Sequence, residues 1–211
     1  MDSFGADITG NDTYRTIKGT SEGLYKEKGS KFIAFAFPVS SDNEVKFRLE
    51  ELRKKYHDAR HHAYAYRIGI ENPTWRMNDD GEPSNTAGKP IYGQILSLDL
   101  TDILIVVIRY FGGVKLGVGG LIGAYKTAAH DALDKAEIIT KTIHDVFEIH
   151  FQYEQMKEVM KILREENLKQ ITQSFSMDCK IILEIRKQKS DNIVNKFTKI
   201  KNLKIKHLQT A

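Results

Sequence analysis

One cysteine, Cys179, stands among 211 residues. That excludes an internal disulfide framework and any cysteine-rich zinc site. Long apolar runs are missing as well: the longest, Ile103 to Ile108, falls far short of the roughly 20 residues that a membrane-spanning helix needs. The opening residues, Met1 to Asp7, carry neither a basic segment nor an apolar one, so no secretory leader is expected. No linker rich in Gly, Pro or Ser separates the two halves, and there is neither an internal repeat nor a low-complexity segment. These absences predict a cytoplasmic protein without a membrane partner. What is present suffices for folding: 41% hydrophobic and 28% charged residues build cores rather than a disordered chain. At roughly 100–150 residues per domain, the length favours two small domains.

Charge is unevenly placed. Residues 1–140 hold 18 Lys and Arg against 19 Asp and Glu, whereas 141–211 hold 14 against 9, a net of +5. Arg186 to Lys206 contains eight basic side chains and one acid, Asp191. Such a bias suits a polyanionic partner such as RNA, although +5 is also compatible with a solvated lysine-rich surface.

The first half alternates strand-like and helix-like segments. Lys31 to Pro38 is aromatic and β-prone, and Ser41-Asp42-Asn43-Glu44 is a capping box ahead of Val45, Leu49, Leu52 and Tyr56 at helical spacing. From His62 to Ile70 large and small residues alternate, so one face of that strand lies close to something. Asp102 to Phe111 reads as a strand buried on both faces, and the alanine-rich helix from Gly119 packs closely on a sheet. Beyond about Lys141 the order becomes β-α-β-β-α-β: strands at about 145–152, 171–177, 179–186 and 203–208, a turn near Asp178, and a helix capped by Ser190. That is a ferredoxin-like unit of about 70 residues. Lys180, Glu184, Arg186, Lys204 and Lys206 fall on its non-core face, which is expected to be mostly basic and lacks aromatic pairs for base stacking. The expected fold class is α+β in two domains, 1–139 and 140–211.

Arg109-Tyr110-Phe111-Gly112-Gly113-Val114-Lys115-Leu116-Gly117-Val118-Gly119-Gly120 places five of the 15 glycines between a buried strand and a helix. A glycine-rich loop entering a helix presents free N–H groups and the positive dipole end to an anion, and Arg109 and Lys115 add charge-assisted bonds. Neither a Walker A motif nor a dinucleotide fingerprint is present. The competing reading is a tight crossover that needs small residues, in which case a β-branched residue at Gly119 crowds it. A second segment runs from Asn78-Asp79-Asp80-Gly81-Glu82-Pro83-Ser84-Asn85-Thr86 to Pro90. Its carboxylates are compatible with a hard cation, but EF-hand positions are missing and an ordered loop is preferred. Ser84 and Thr86 have no base fixed beside them, and Ser84 or Asn85 is expected to cap a helix running toward Leu98. His61 and His62, adjacent on a strand, point to opposite faces and cannot share one ion. His62 is read as a hydrogen-bonding or acid–base group beside the acidic loop.

The segments His61 to Arg67, Asn78 to Gly88 and Arg109 to Gly120, with Lys28-Gly29-Ser30-Lys31-Phe32 before the first strand, closely resemble the IMPACT/YigZ family over about residues 15–135. Asn85 stands where the family pattern more often has glycine. The remainder is similar to the C-terminal domain of the bacterial members. The resemblance implies a first domain like domain 2 of the fifth small-subunit ribosomal protein and a second like domain V of elongation factor G. It also implies a translation-linked regulatory role. The resemblance extends to eukaryotic relatives that restrain a starvation-sensing kinase, but the extra N-terminal domain of that form is not expected here, so the kinase role is not carried over whole.

The expectation that follows is binding of RNA or the ribosome in control of translation under stress. Phosphate contacts are assigned to Arg67, Arg109, Gly112, Gly113, Lys115, Gly117, Gly119, Gly120, Lys180, Arg186, Lys204 and Lys206. His62, Asp79, Asp80, Glu82, Ser84 and Thr86 order the site or serve it as acid–base groups. No catalytic residue, cofactor or metal is assigned. Two other readings stand beside this one: an enzyme acting on a phosphorylated small molecule through the glycine loop, and a protein-interaction module in translation control.

Overall fold

The computed structural model describes residues 12–175 and 178–210; the opening segment read for a leader, and the end of the strand expected to reach Met177, lie outside them. The chain is α+β and divides into two compact units, one of Tyr14–Lys141 and one of Thr142 onward together with Asp12 and Thr13. Among the described residues no helix is long and apolar enough to cross a membrane.

The first unit contains β1 (Thr13–Ile17), β2 (Ser21–Glu27), β3 (Ser30–Pro38), α1 (Asp42–Lys55), β4 (His61–Ile68), β5 (Thr74–Asn78), α2 (Gly88–Ser97), β6 (Ile103–Tyr110), α3 (Gly117–Asp134) and β7 (Ile138–Thr142). Its main sheet has the order β2-β3-β6-β4-β5, and every neighbouring pair is antiparallel. The continuous apolar run makes β6 the central strand because both faces of the sheet are covered. Ile103, Ile105 and Val107 pack with α2 and α3, while Leu104, Val106 and Ile108 pack with α1. All six are fully buried, each stabilising the unit by ~1.5–3 kcal/mol relative to exposure. The same alternation explains β4: Ala63 and Ala65 face α2 and α3, and Tyr64 faces α1. Ala124, Ala128 and Ala132 bring α3 close to the sheet. Ser41 caps α1 by accepting from the Glu44 N–H at 3.3 Å, and the Glu44 carboxylate accepts from Ser40 rather than Ser41.

The second unit runs β8 (His144–Gln152), a 3-10 turn (Tyr153–Gln155), α4 (Met156–Glu165), β9 (Lys169–Ser174), β10 (Asp178–Arg186), α5 (Lys187–Thr198) and β11 (Lys204–Thr210). Its antiparallel sheet has the order β11-β8-β10-β9, the ferredoxin-like arrangement. Phe147, Ile149, Phe151, Ile181 and Leu183 meet Val159, Leu163, Ile193 and Phe197 in its core. Asp178 is the first residue of β10, so the connection from β9 falls just before it, near the expected turn. Ser190 lies inside α5, not at its cap, because its hydroxyl donates to Asp145 at 2.6 Å.

Candidate functional site

The glycine loop serves two separate purposes. Gly112 lies against the β2–β3 hairpin, where a Cβ would stand 1.9 Å from the carbonyl carbon of Gly29; only glycine permits that approach. Its N–H donates to Ser30 Oγ at 3.2 Å, so the Lys28-Gly29-Ser30 segment and the loop are one structural unit. From Gly113 the chain changes character. Gly113 and Gly117 have φ of 88° and 73°, and open space stands over Gly113, Gly117 and Gly119. Crowding at Gly119 is therefore absent, and its φ is not left-handed. Gly120 lies near the Cβ of Leu116. Helix α3 starts behind Leu116 without a side-chain cap and without an acidic residue in its first turn, leaving its first N–H groups and dipole end uncompensated by side chains.

The acidic loop is held by its own backbone. Asp79 Oδ1 accepts from Ala87 and Gly88 N–H at 2.9 and 2.8 Å, and Oδ2 accepts from Asn85 N–H at 2.9 Å. Asp79 thus caps α2 from nine residues upstream, in place of Ser84 or Asn85. Asn85 has φ of 62°, a conformation that asparagine tolerates and glycine adopts freely. Asp80 Oδ2 accepts from His62 N–H at 2.7 Å, and its carbonyl accepts from His61 Nδ1 at 2.8 Å. The Thr86 hydroxyl donates to Pro83 O, while Ser84 is exposed and accepts from Asn85 in its own loop. Among the described residues no three His, Cys, Asp or Glu are arranged to hold a metal ion.

Glu82 joins the two loops. Its Oε1 accepts from Arg109 Nη1 at 2.6 Å and from the Tyr125 hydroxyl at 2.9 Å, and all three side chains are buried. Burial, then the neighbouring carboxylate, pushes the Tyr125 hydroxyl far up and fixes it as a donor. Arg109 also stacks over Phe32 and Phe111, and its buried Nε has no partner.

In front of this network opens a cavity of about 480 Å³, lined by Arg60, His61, Glu82, Arg109, Lys115 and Val118 among others. Arg109, Lys115, Gly117 and Glu82 all line it. His61, not His62, faces it, because His61 is in register with Arg109 on β6. His62 points to the α1 side, where desolvation holds its imidazole below the usual pKa of 6.5 against the opposing pull of Asp80. Arg67 does not join them: at the far end of β4 it bonds to Asp99 at 3.4 Å and to Leu100 O at 3.3 Å. Arg60 and the rim residues Phe111 and Val118 escaped sequence reading, and His62 was preferred there to His61. Strand register was the signal for His61; the others lie in irregular chain or on one exposed helix turn.

The open sheet face of the second unit is less basic than expected. Lys180 pairs with Glu148, which also accepts from His150, and together they hold the Glu148 carboxyl down to about 2. Glu184 pairs with Lys169 at 2.6 Å. Arg186 grips Asp12, with Nη2 at 2.8 Å from Oδ1, and this bond lowers the Asp12 carboxyl pKa. Lys204 and Lys206 are exposed and form no ion pair among the described residues.

The sequence pattern of the Impact N-terminal domain matches residues 28–133, the span holding both loops. The chain is 32% identical over 174 residues to IMPACT family member YvyE of Bacillus subtilis, covering 82% of this chain and 80% of that protein. It is 33% identical over 138 residues to IMPACT family member YigZ of Escherichia coli, covering 64% and 68%. A crystal structure described as that of a hypothetical protein superposes with a TM-score of 0.70 at 25% identity, covering 94% of this chain and 98% of that one.

Proposed function

The chain belongs to the IMPACT family, and from that premise we propose that it binds RNA, free or on the ribosome, and thereby regulates translation in the cytoplasm under stress. The observation that carries the binding reading is the uncapped start of α3 opening onto the cavity between Arg60, Arg109 and Lys115. Free helix N–H groups and the exposed cations Arg60 and Lys115 favour phosphate, and Phe111, 52% exposed beside Arg109, offers a face on which a base stacks. The translational and stress settings rest on the family resemblance.

The test is co-sedimentation of the tagged chain with ribosomes from lysate, followed by release with salt, and titration of the purified chain with single-stranded RNA. Salt-sensitive association is expected. A second reading, a protein-interaction surface, is favoured by the exposure of Val114, Val118 and Ile122 next to Phe111. Ribosome association that persists at high salt, with no RNA binding by the purified chain, would select it.

A further inference from the structure

We infer that the cavity at the start of α3 is a phosphomonoester site: it takes a terminal phosphate, as on an RNA end or a nucleotide, rather than the internal diester of a continuous strand. The inference deepens the RNA-binding reading and rests on it for the RNA source of the phosphate.

Three features distinguish the two kinds of phosphate. The cavity has a buried floor and an exposed rim. Buried Glu82, Arg109 and Leu121 line its depth, and exposed Arg60, Phe111, Lys115 and Val118 line its rim. At about 480 Å³ it has the size of a small-molecule pocket. A chain end enters such a cavity, whereas an internal phosphate must leave it in two directions.

Charge points the same way. Arg109, Lys115, Arg60 and the first N–H groups of α3 face one carboxylate, Glu82, whose Oε1 already accepts from Arg109 and Tyr125. Arg109 is 6% exposed and lines the cavity with Nη1 bonded to Glu82, which leaves its other terminal nitrogen, Nη2, for an occupant. A monoester carries close to two negative charges near neutral pH and a diester one, so the monoester gains more from the same cations.

His61 supplies the third feature. Its Nδ1 stands 2.8 Å from the Asp80 carbonyl and therefore carries a proton. The ring is fixed, and Nε2, 3.9 Å from Glu82 Oε1, is the ring nitrogen left to hydrogen-bond an occupant. A phosphomonoester has a second ionisation near 6 and can share that proton with an imidazole; a diester has none to share at neutral pH.

The experiment uses the full chain and fluorescently labelled RNA 12-mers of one sequence, with a 5′-phosphate, a 3′-phosphate, or hydroxyls at both ends. Free nucleoside monophosphate and the parent nucleoside serve as competitors. One phosphorylated end is expected to bind about tenfold tighter than the dihydroxyl RNA. Val118→Glu puts a carboxylate at the rim within the first turn of α3, where an acid favours the helix; it should keep the melting temperature and abolish the preference. Lys115→Ala, at an exposed position, should reduce it and decides the matter if Val118→Glu melts early. Equal binding of all three RNAs, with no competition by the monophosphate, overturns the inference and leaves RNA binding intact. A saturable rise in melting temperature with the monophosphate, absent with the nucleoside, together with no binding of any RNA, upholds the site, identifies a free nucleotide as the source, and overturns the RNA reading instead.

Discussion

Glu82 is the shared acceptor of a buried network in the first unit, taking hydrogen bonds from Arg109 and Tyr125. Removing one partner of a buried ion pair leaves the other charge uncompensated, at a cost of about 3–5 kcal/mol. Glu82→Gln is therefore expected to lower stability by that amount in urea unfolding. Glu82→Leu combined with Arg109→Met, which removes both charges, should lose less than Glu82→Gln; a double variant that loses more would refute the pair as the cause. His62 makes a separate prediction through pH. Its folded pKa lies below the ordinary 6.5 because burial disfavours the cation. The unfolded chain thus binds the proton more readily, and the stability held above about 6.5 is lost as pH falls from there toward the folded value. Urea midpoints between about pH 7.5 and about pH 5.5 should fall less steeply for His62→Gln than for the unaltered chain. Parallel slopes would show that another group governs the acid limb.

At the level of elements, the glycine loop splits into a part required by packing and a part that is not. Gly112→Ala drives a Cβ into the backbone of Gly29 and Ser30 and is expected to cost about 4 kcal/mol or more. Gly119→Ala meets open space inside helix α3 and should stabilise by about 0.5–1 kcal/mol. Thermal melts of the two variants read the contrast, and equal damage from both would contradict it. The elements that were legible in the sequence are those whose signal is local: the apolar run of β6, the capped start of α1, and the alternating strands of the ferredoxin-like unit. Strands β1, β2, β5 and β7 were not read, being short or polar and held by pairing with distant chain; β2 reads Ser-Glu-Gly-Leu-Tyr-Lys-Glu. The site was half legible for the same reason. Glycine density and basic residues marked the loop. Glu82 reaches Arg109 across 27 positions and Tyr125 across 43, and no periodicity reports such contacts. The α2 cap is likewise hidden, because Asp79 supplies it from beyond the intervening turn.

Across the whole molecule, net charge overstates the cations available to a polyanion. The +5 of residues 141–211 includes Lys180 and Arg186, both held in ion pairs, whereas Lys204 and Lys206 remain exposed and Lys115 stands at the cavity rim. A phosphate that recruits Lys180 must first separate it from Glu148 and then lie beside that carboxylate, so the contact gains little. Binding through about three to five phosphates predicts a log–log salt slope of about −2 to −4 on single strands. Removing a lysine that truly contacts phosphate should reduce the slope by about 0.7. Lys115→Ala is expected to do so, and Lys204→Ala with Lys206→Ala to remove about twice that if the second unit also holds the strand. Lys180→Ala should leave the slope within about 0.2 of the unaltered chain. RNA titrations at four or more salt concentrations, with each variant's fold checked by melting, provide the measurement. A Lys180 effect as large as that of Lys115 would mean that RNA opens the Glu148 pair, and the binding face would then be the open sheet of the second unit rather than the start of α3.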